Sequence, residues 1–325
     1  MRLRIGSSIV LAALATVIAI APAAAQEFPS KPIRVIVPFA VGGPADVYAR
    51  IVGQHLSEAL KQPFIIDNKP GAGSIVGTAE AAKAAPDGST LLMMSNTHTT
   101  NESLVTEKPF VLMRDFVAVA PVNSSDLVLV AHPSLGVRTI QDLIALAKSK
   151  PGRLNYASSG TGTPYHMAGE LFKAMSGTDI LHVPFKGSSG ARNDVIAGQV
   201  QMMFDAITTM AGNVEAKQVV ALATTGKARS PVLANVPTRA EAGVPGYEAT
   251  IWLGLMAPKG TPPAIVNRLN SEIAKIVSRA EVRDEWAKQG AAPMAMNPEE
   301  FAHYMNDDIA KWARIVRISG AKPDQ

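Results

Sequence analysis

Val35-Ile36-Val37-Pro38-Phe39-Ala40-Val41-Gly42-Gly43-Pro44-Ala45-Asp46 carries an apolar strand, a glycine-rich loop and a helix start in one line. The β-branched run suits a strand, the two glycines let a ligand approach the backbone closely, and Pro44 suits the first position of a helix. A helix that starts where a strand ends presents unpaired N–H groups, and these attract anions. Behind Pro44, Val47, Ile51 and His55-Leu56 recur at helical spacing. Repeated, such a unit builds a parallel α/β sheet.

It is repeated. Asn68-Lys69-Pro70-Gly71-Ala72-Gly73-Ser74 follows the apolar Phe64 to Ile66. Tyr156-Ala157-Ser158-Ser159-Gly160-Thr161-Gly162-Thr163-Pro164 places Thr163 as the expected N-cap, with hydroxyls on either side. Each loop has two readings on its residues alone: a tight turn with a helix cap, or one grip on an anion. Further strand-length apolar runs are Ile33 to Phe39, Thr90 to Met94, Leu127 to Ala131, Leu154 to Ala157, Leu181 to Phe185 and Val200 to Phe204, read as buried on both faces. Ala168, Leu171, Phe172 and Met175 form a helical stripe after Pro164, and Ile265, Leu269, Ile273 and Ile276 form another behind Pro262 and Pro263.

No low-complexity linker divides the chain, so a discontinuous arrangement is expected, with crossings around Val117 to Leu129 and Tyr247 to Met256. Residues 26–124 and 250–325 would form one domain and residues 125–249 the other. At the N-terminus Arg2 and Arg4 precede an apolar run from Ile5 to Ile20 that ends in Ala23-Ala24-Ala25. That order reads as a secretory signal peptide over residues 1–25, cleaved after Ala25, and the run is shorter than a membrane span needs.

The chain has no cysteine, which excludes disulfides, thiolate nucleophiles, cysteine-held metals and a lipid-modified cysteine. Its 325 residues are 47% hydrophobic, enough for a large core, so stability must come from burial. The formal charge of +4 falls to a surplus of two once Arg2 and Arg4 leave, and no basic cluster suggests nucleic acid. Gly71, Gly73 and Gly77 miss the dinucleotide-binding spacing by one residue. No nucleophile elbow or zinc-binding helix motif is present, and His166 with Glu170 is two ligands without a third, so neither a metal nor any other cofactor is expected. His182 reads as a core histidine. Asp205 ends an apolar strand where α/β ligand sites lie, with either a pocket or a capping role. Lys186 stands similarly after Val183-Pro184-Phe185, either to neutralise a ligand charge or as a surface lysine.

These landmarks together resemble the Bug-type (Bordetella uptake gene) periplasmic receptors of tripartite tricarboxylate transporters, over the whole chain. The resemblance is carried by Phe28-Pro29-Ser30-Lys31-Pro32-Ile33-Arg34, Pro38-Phe39 with Gly42-Gly43 and Asp46, Asn68 to Gly73, Ala85-Pro86-Asp87-Gly88 and Leu154 to Ser158. It continues through Gly169-Glu170-Leu171-Phe172, His182 to Gly187, Met203-Phe204-Asp205 and Val236-Pro237-Thr238. It implies an α/β, type II periplasmic-binding-protein fold of two doubly wound domains that close on a ligand cleft. It also implies a non-enzymatic, monomeric receptor holding a mono- or dicarboxylate partly through ordered water, with one large and one small integral-membrane subunit as partners. Matching positions imply a site of Phe39, Ala40, Gly42, Gly43, Gly71, Gly73 and Ser74, faced by Ser158, Ser159, Gly160, Thr161, Thr163 and Asp205, and Asp46 and Lys186 are added as candidates from their places in the loops. Ser74, Tyr165 and the segment Asn96-Thr97-His98-Thr99 depart from the family pattern. Tyr165, Ser95, Asn96 and Thr97 join the expected cleft, and Tyr165 either narrows the cavity or packs its helix. A secreted sensor with a signalling partner, and an extracellular hydrolase or isomerase using Asp205 or His166, are the alternative functions.

Overall fold

A computed structural model describes residues 28–243 and 249–323. The signal-peptide reading, with its cleavage after Ala25, lies outside the described residues. Ten strands and eleven α-helices follow in order among those residues. They are β1 (Ile33–Val37), α1 (Pro44–Leu60), β2 (Phe64–Asn68), α2 (Ile75–Ala82), β3 (Thr90–Ser95), α3 (Asn96–Leu104), α4 (Leu112–Asp115) and β4 (Phe116–Ala131). Next come α5 (Ile140–Ser149), β5 (Leu154–Ser158), α6 (Pro164–Ser176), β6 (Ile180–Pro184), α7 (Ser188–Ile196), β7 (Met202–Ala206), α8 (Ile207–Glu215) and β8 (Val220–Thr224). The chain finishes with β9 (Thr250–Pro258), α9 (Pro263–Ser278), α10 (Ala280–Lys288), β10 (Ala291–Pro293) and α11 (Pro298–Ser319).

The strands make one sheet in the order β2-β1-β3-β9-β4-β7-β5-β6, with β8 and β10 also paired to β4. Its two ends are parallel, β1 with β2 and β3, and β5 with β6 and β7. The middle is antiparallel because β4 is a single sixteen-residue strand with two sets of partners. Phe116 to Asp126 pair with β9, Asn123 to Ser125 also with β10, and Leu127 to Ala131 pair with β7 and β8. A fully parallel sheet was the sequence expectation for these runs, and β4 and β9 correct it.

Two further corrections have a simple cause. β2 and β6 lie at the sheet edges, so Ile65 and Leu181 are about half exposed and these strands are not buried on both faces. In α1 the buried stripe is Tyr48, Val52 and Leu56, while Val47, Ile51 and His55 lie on its half-buried flank. Tyr48 supplies the larger apolar surface, packing edge-to-face on Trp286, so the helix turns that side inward. The stripes of α6 and α9 face the core, except that Met175 is exposed near the end of α6.

Helix ends follow their residues. Thr163 caps α6 by accepting from His166 N–H, and Asn297 with Glu300 makes a capping box on α11. α11 is pinned beneath the sheet by buried Asp308, whose Oδ2 accepts from Thr99 Oγ1 at 2.6 Å and from the indoles of Trp252 and Trp312 at 3.1 and 3.0 Å. This fixes α3 against β9, and α3 begins at the cleft. No helix among the described residues is long and apolar enough to cross a membrane.

Candidate functional site

The loops leaving β1, β2, β5 and β6 converge from the two parallel ends of the sheet, joined by Ser95 and Thr97 at the start of α3. They enclose two adjoining chambers. The inner one, about 310 Å³ only when its opening to solvent is included and about 20 Å³ for the centre of a water-sized sphere, is lined by the glycine-proline start of α1 with Phe39, by Ser95 and Thr97, by Ser159, Pro164 and Tyr165, and by Ser188 and Ile251. The outer one, about 480 Å³ including its open mouth, lies between Gly71 to Ser74, Ser159 to Thr161 and Pro184 to Lys186. Phe39 and Ser159 border both.

Helix N-termini set the electrostatics. α1, α2 and α7 begin at Gly43, Ser74 and Gly187, none of which supplies a side-chain cap; α1 and α7 turn first-turn N–H groups and the positive ends of their dipoles to the cavity wall, whereas the Ile75 and Val76 N–H groups of α2 are taken by the Ala72 and Gly71 carbonyls. Four hydroxyls on these walls, those of Ser74, Thr161, Tyr165 and Ser188, are buried without a hydrogen-bond partner in the protein. Unpaired buried hydroxyls are uncommon, because each forfeits about 1–3 kcal/mol. Ser188 acts on the Tyr165 phenol as a hydrogen-bonding neighbour, although the two do not meet in ordinary hydrogen-bond geometry. Burial and the nearby Asp205 carboxylate raise the Tyr165 phenol well above its usual value, so it is a donor.

Other expected site residues hold the walls. Asp205 is fully buried, accepts from Arg192 Nε at 2.8 Å and from Ala206 N–H, and is raised by burial in spite of Arg192. Asp46 binds its own loop: burial works against its charge, but Arg50 and the Gly42 N–H hold its carboxyl below the usual range. Ser158 Oγ contacts His182 Nε2 at 2.7 Å and accepts from Gly160 N–H, while Thr163 Oγ1 donates to the Gly160 carbonyl at 2.6 Å. Asn96 donates to the Thr250 carbonyl. Ala40 N–H donates to the Lys186 carbonyl at 3.2 Å, and Ser189 Oγ to the Val41 carbonyl at 2.8 Å, so the loops after β1 and β6 touch directly.

His98 ties three segments together. Its Nδ1 lies 3.2 Å from Ser95 N and 3.0 Å from the Ser95 carbonyl, its Nε2 lies 2.9 Å from Thr78 Oγ1, and Thr78 donates onward to the Ser74 carbonyl. Its ring also meets Phe39 edge-on. Burial lowers its pKa to about 4, so the ring is neutral at ordinary pH. Ser188, Arg192 and Ile251 were missed in the sequence. Ser188 was legible by the same rule as the others, since Pro184-Phe185-Lys186-Gly187-Ser188 is again a strand end, a glycine and a helix start.

Among the described residues no group of three or more His, Cys, Asp or Glu side chains gathers as a metal requires. Glu170, the partner considered for His166, is engaged by Tyr156 and Lys173.

The family model for the tripartite tricarboxylate transporter family receptor matches residues 48–320. The chain belongs to that receptor family. The protein BugT of Bordetella pertussis is 36% identical over 93% of this chain and 93% of its own length. Among solved structures, the R. palustris protein Rpa4515 with adipate superposes with a TM-score of 0.89 at 33% identity, covering 92% of this chain and all of that one. MatC from Rhodopseudomonas palustris, with bound malate, gives 0.85 at 31% identity, covering 89% of this receptor and all of MatC. The receptor thus has the α/β, type II periplasmic-binding-protein fold, and the Bug-type resemblance read from its motifs is the family it matches.

Proposed function

We propose that this receptor captures a small mono- or dicarboxylate in the periplasm, without altering it, and delivers it to a membrane transporter with one large and one small integral-membrane subunit. The single observation that carries this reading is the convergence of the uncapped starts of α1 and α7 with four buried hydroxyls, those of Ser74, Thr161, Tyr165 and Ser188, on one pair of chambers. A helix start offers roughly 0.3–1 kcal/mol per charge, nearer 2 when partly buried, so several together suit an anion. The acids bound by the two R. palustris relatives support the same ligand class.

The lobes proposed are residues 26–124 with 250–325, and residues 125–249. The change of partners along β4 after Asp126 supports that division. Loops from each lobe meet at Ala40 and Lys186, so closing the cleft buries the ligand and brings together a surface that a transporter can distinguish from the open form. The segment from 1 to 25 would direct export and be removed, leaving a freely diffusing monomer.

The test is thermal denaturation of the mature chain from Gln26, stripped of carried-over solute, with adipate, malate, succinate, benzoate and their neutral amides. Binding raises the melting temperature by mass action. Stabilisation by an acid and not by its amide supports the proposal, whereas stabilisation only by uncharged solutes overturns the anion reading.

A further inference from the structure

The inner chamber carries no charged side chain on its lining. Its polarity comes from the starts of α1, α6 and α7 and from hydroxyls. Two of these, on Tyr165 and Ser188, are buried and have no protein partner other than each other. Tyr165 is 3% exposed and Ser188 2%, so neither is satisfied by bulk water. A Cβ added at Gly43 would stand 3.1 Å from Ser188 Oγ, which places that hydroxyl directly against the uncapped start of α1. We infer that Tyr165 and Ser188 donate hydrogen bonds directly to the ligand carboxylate, seated in the inner chamber between the starts of α1 and α7. The rest of the ligand then extends past Phe39 and Ser159 into the outer chamber. This rests on the carboxylate reading above and adds to it: side chains of this chain, and not only backbone and bridging water, set the affinity.

The chemistry agrees at each atom. A carboxylate is an acceptor only, so its partners must donate. The buried phenol of Tyr165, next to Asp205, keeps its proton and presents no competing negative charge. Arg192 sits behind it, bound to Asp205 through Nε, so the carboxylate of Asp205 is already matched. An amide offered to the same two donors would place its NH₂ against helix starts that repel a donor. The site therefore discriminates acid from amide at the inner end.

Wild type, Y165F and S188A are titrated calorimetrically with adipate, malate, succinate and benzoate, and the tyrosine difference spectrum is recorded on binding. For any acid that binds the wild type, each variant should lose roughly 10- to 100-fold in affinity, the range of a hydrogen bond to a charged group. The wild-type spectrum should shift on binding and the shift should vanish in Y165F. If an acid binds but both variants stay within about twofold and the spectrum is unaltered, the donors are wrong while the carboxylate reading stands. If no acid binds wild type, that reading falls, and this inference with it. Should Y165F not fold, S188A and the wild-type spectrum decide.

Discussion

Gly187 lies so close to Ala40 that a Cβ added to it would stand 2.6 Å from the Ala40 Cβ and 3.0 Å from the Ala40 nitrogen. The two residues belong to loops at opposite ends of the sheet. Gly187 has φ 165°, extended backbone that any residue adopts, so its lack of a side chain answers to space and not to conformation.

Gly187→Ala should therefore leave the sheet and its helices folded while holding the loops after β1 and β6 apart. Overpacking of this kind costs about 1–3 kcal/mol, which corresponds to a loss of roughly five- to hundredfold in ligand affinity. Calorimetry with a bound acid, together with small-angle scattering of the bound form, checks this. Wild-type affinity and compaction in the variant would show that this contact does not govern closure.

His98 joins Ser95, Thr78 and Ser74 from inside, so His98→Ala should both destabilise the fold and loosen the cleft. Removing a buried ring and two hydrogen bonds gives an expected cost of about 2–4 kcal/mol in urea denaturation. His98→Gln, which offers a donor and an acceptor at similar reach, should recover part of it. Equal losses in the two variants would mean that the bonds matter less than the ring.

Acid should weaken the protein as the pH falls below about 6.5. Burial lowers His98 and His166 to about 4 and His182 to about 3, the last also through the neighbouring His166 ring stacked at 4.2 Å. An unfolded chain takes up these protons near pH 6.5 and the folded one does not. Stability is thus complete above about pH 6.5 and declines as pH falls toward about 4, by up to about 1.4 kcal/mol per pH unit for each buried ring. Denaturation midpoints between pH 7 and 4.5 measure the slope, which should flatten in His166→Asn. A flat profile in wild type would contradict the neutral buried histidines.

Asp308→Ala should leave the indoles of Trp252 and Trp312 and the Thr99 hydroxyl without their common acceptor. Unpaired buried donors cost about 1–3 kcal/mol each, and the loss should be near 3 kcal/mol after local relaxation. Asp308→Asn keeps one acceptor oxygen and should lose less. Tryptophan fluorescence during denaturation reports both, and an unchanged midpoint in the alanine variant would remove Asp308 from the framework behind α3.

Much of the cleft was legible because its parts are local. A strand end, a glycine and a helix start follow one another within a few residues, so the loops at Phe39 to Gly43, Gly71 to Ser74 and Ser158 to Thr163 could be located without knowing how they meet. Ser188 obeys the same rule, standing directly after Gly187 at a helix start. Arg192 was not legible at all, since only the folded chain brings it 2.8 Å from Asp205, thirteen residues away on another element.

By itself the sequence determined the α/β class, the helix starts, the absence of thiol chemistry and, through its ordered motifs, the family. These follow from propensity, periodicity and residue type, all of which act over short stretches of chain. The tertiary structure alone decided that β4 runs antiparallel through the centre of the sheet, that β2 and β6 are edges, and that Tyr48 rather than Val47 turns α1 inward. It also decided which hydroxyls are left buried without partners. The reason is physical: strand pairing, burial and hydrogen-bond satisfaction depend on groups far apart in the chain, and their partners are known only once the chain has closed on itself.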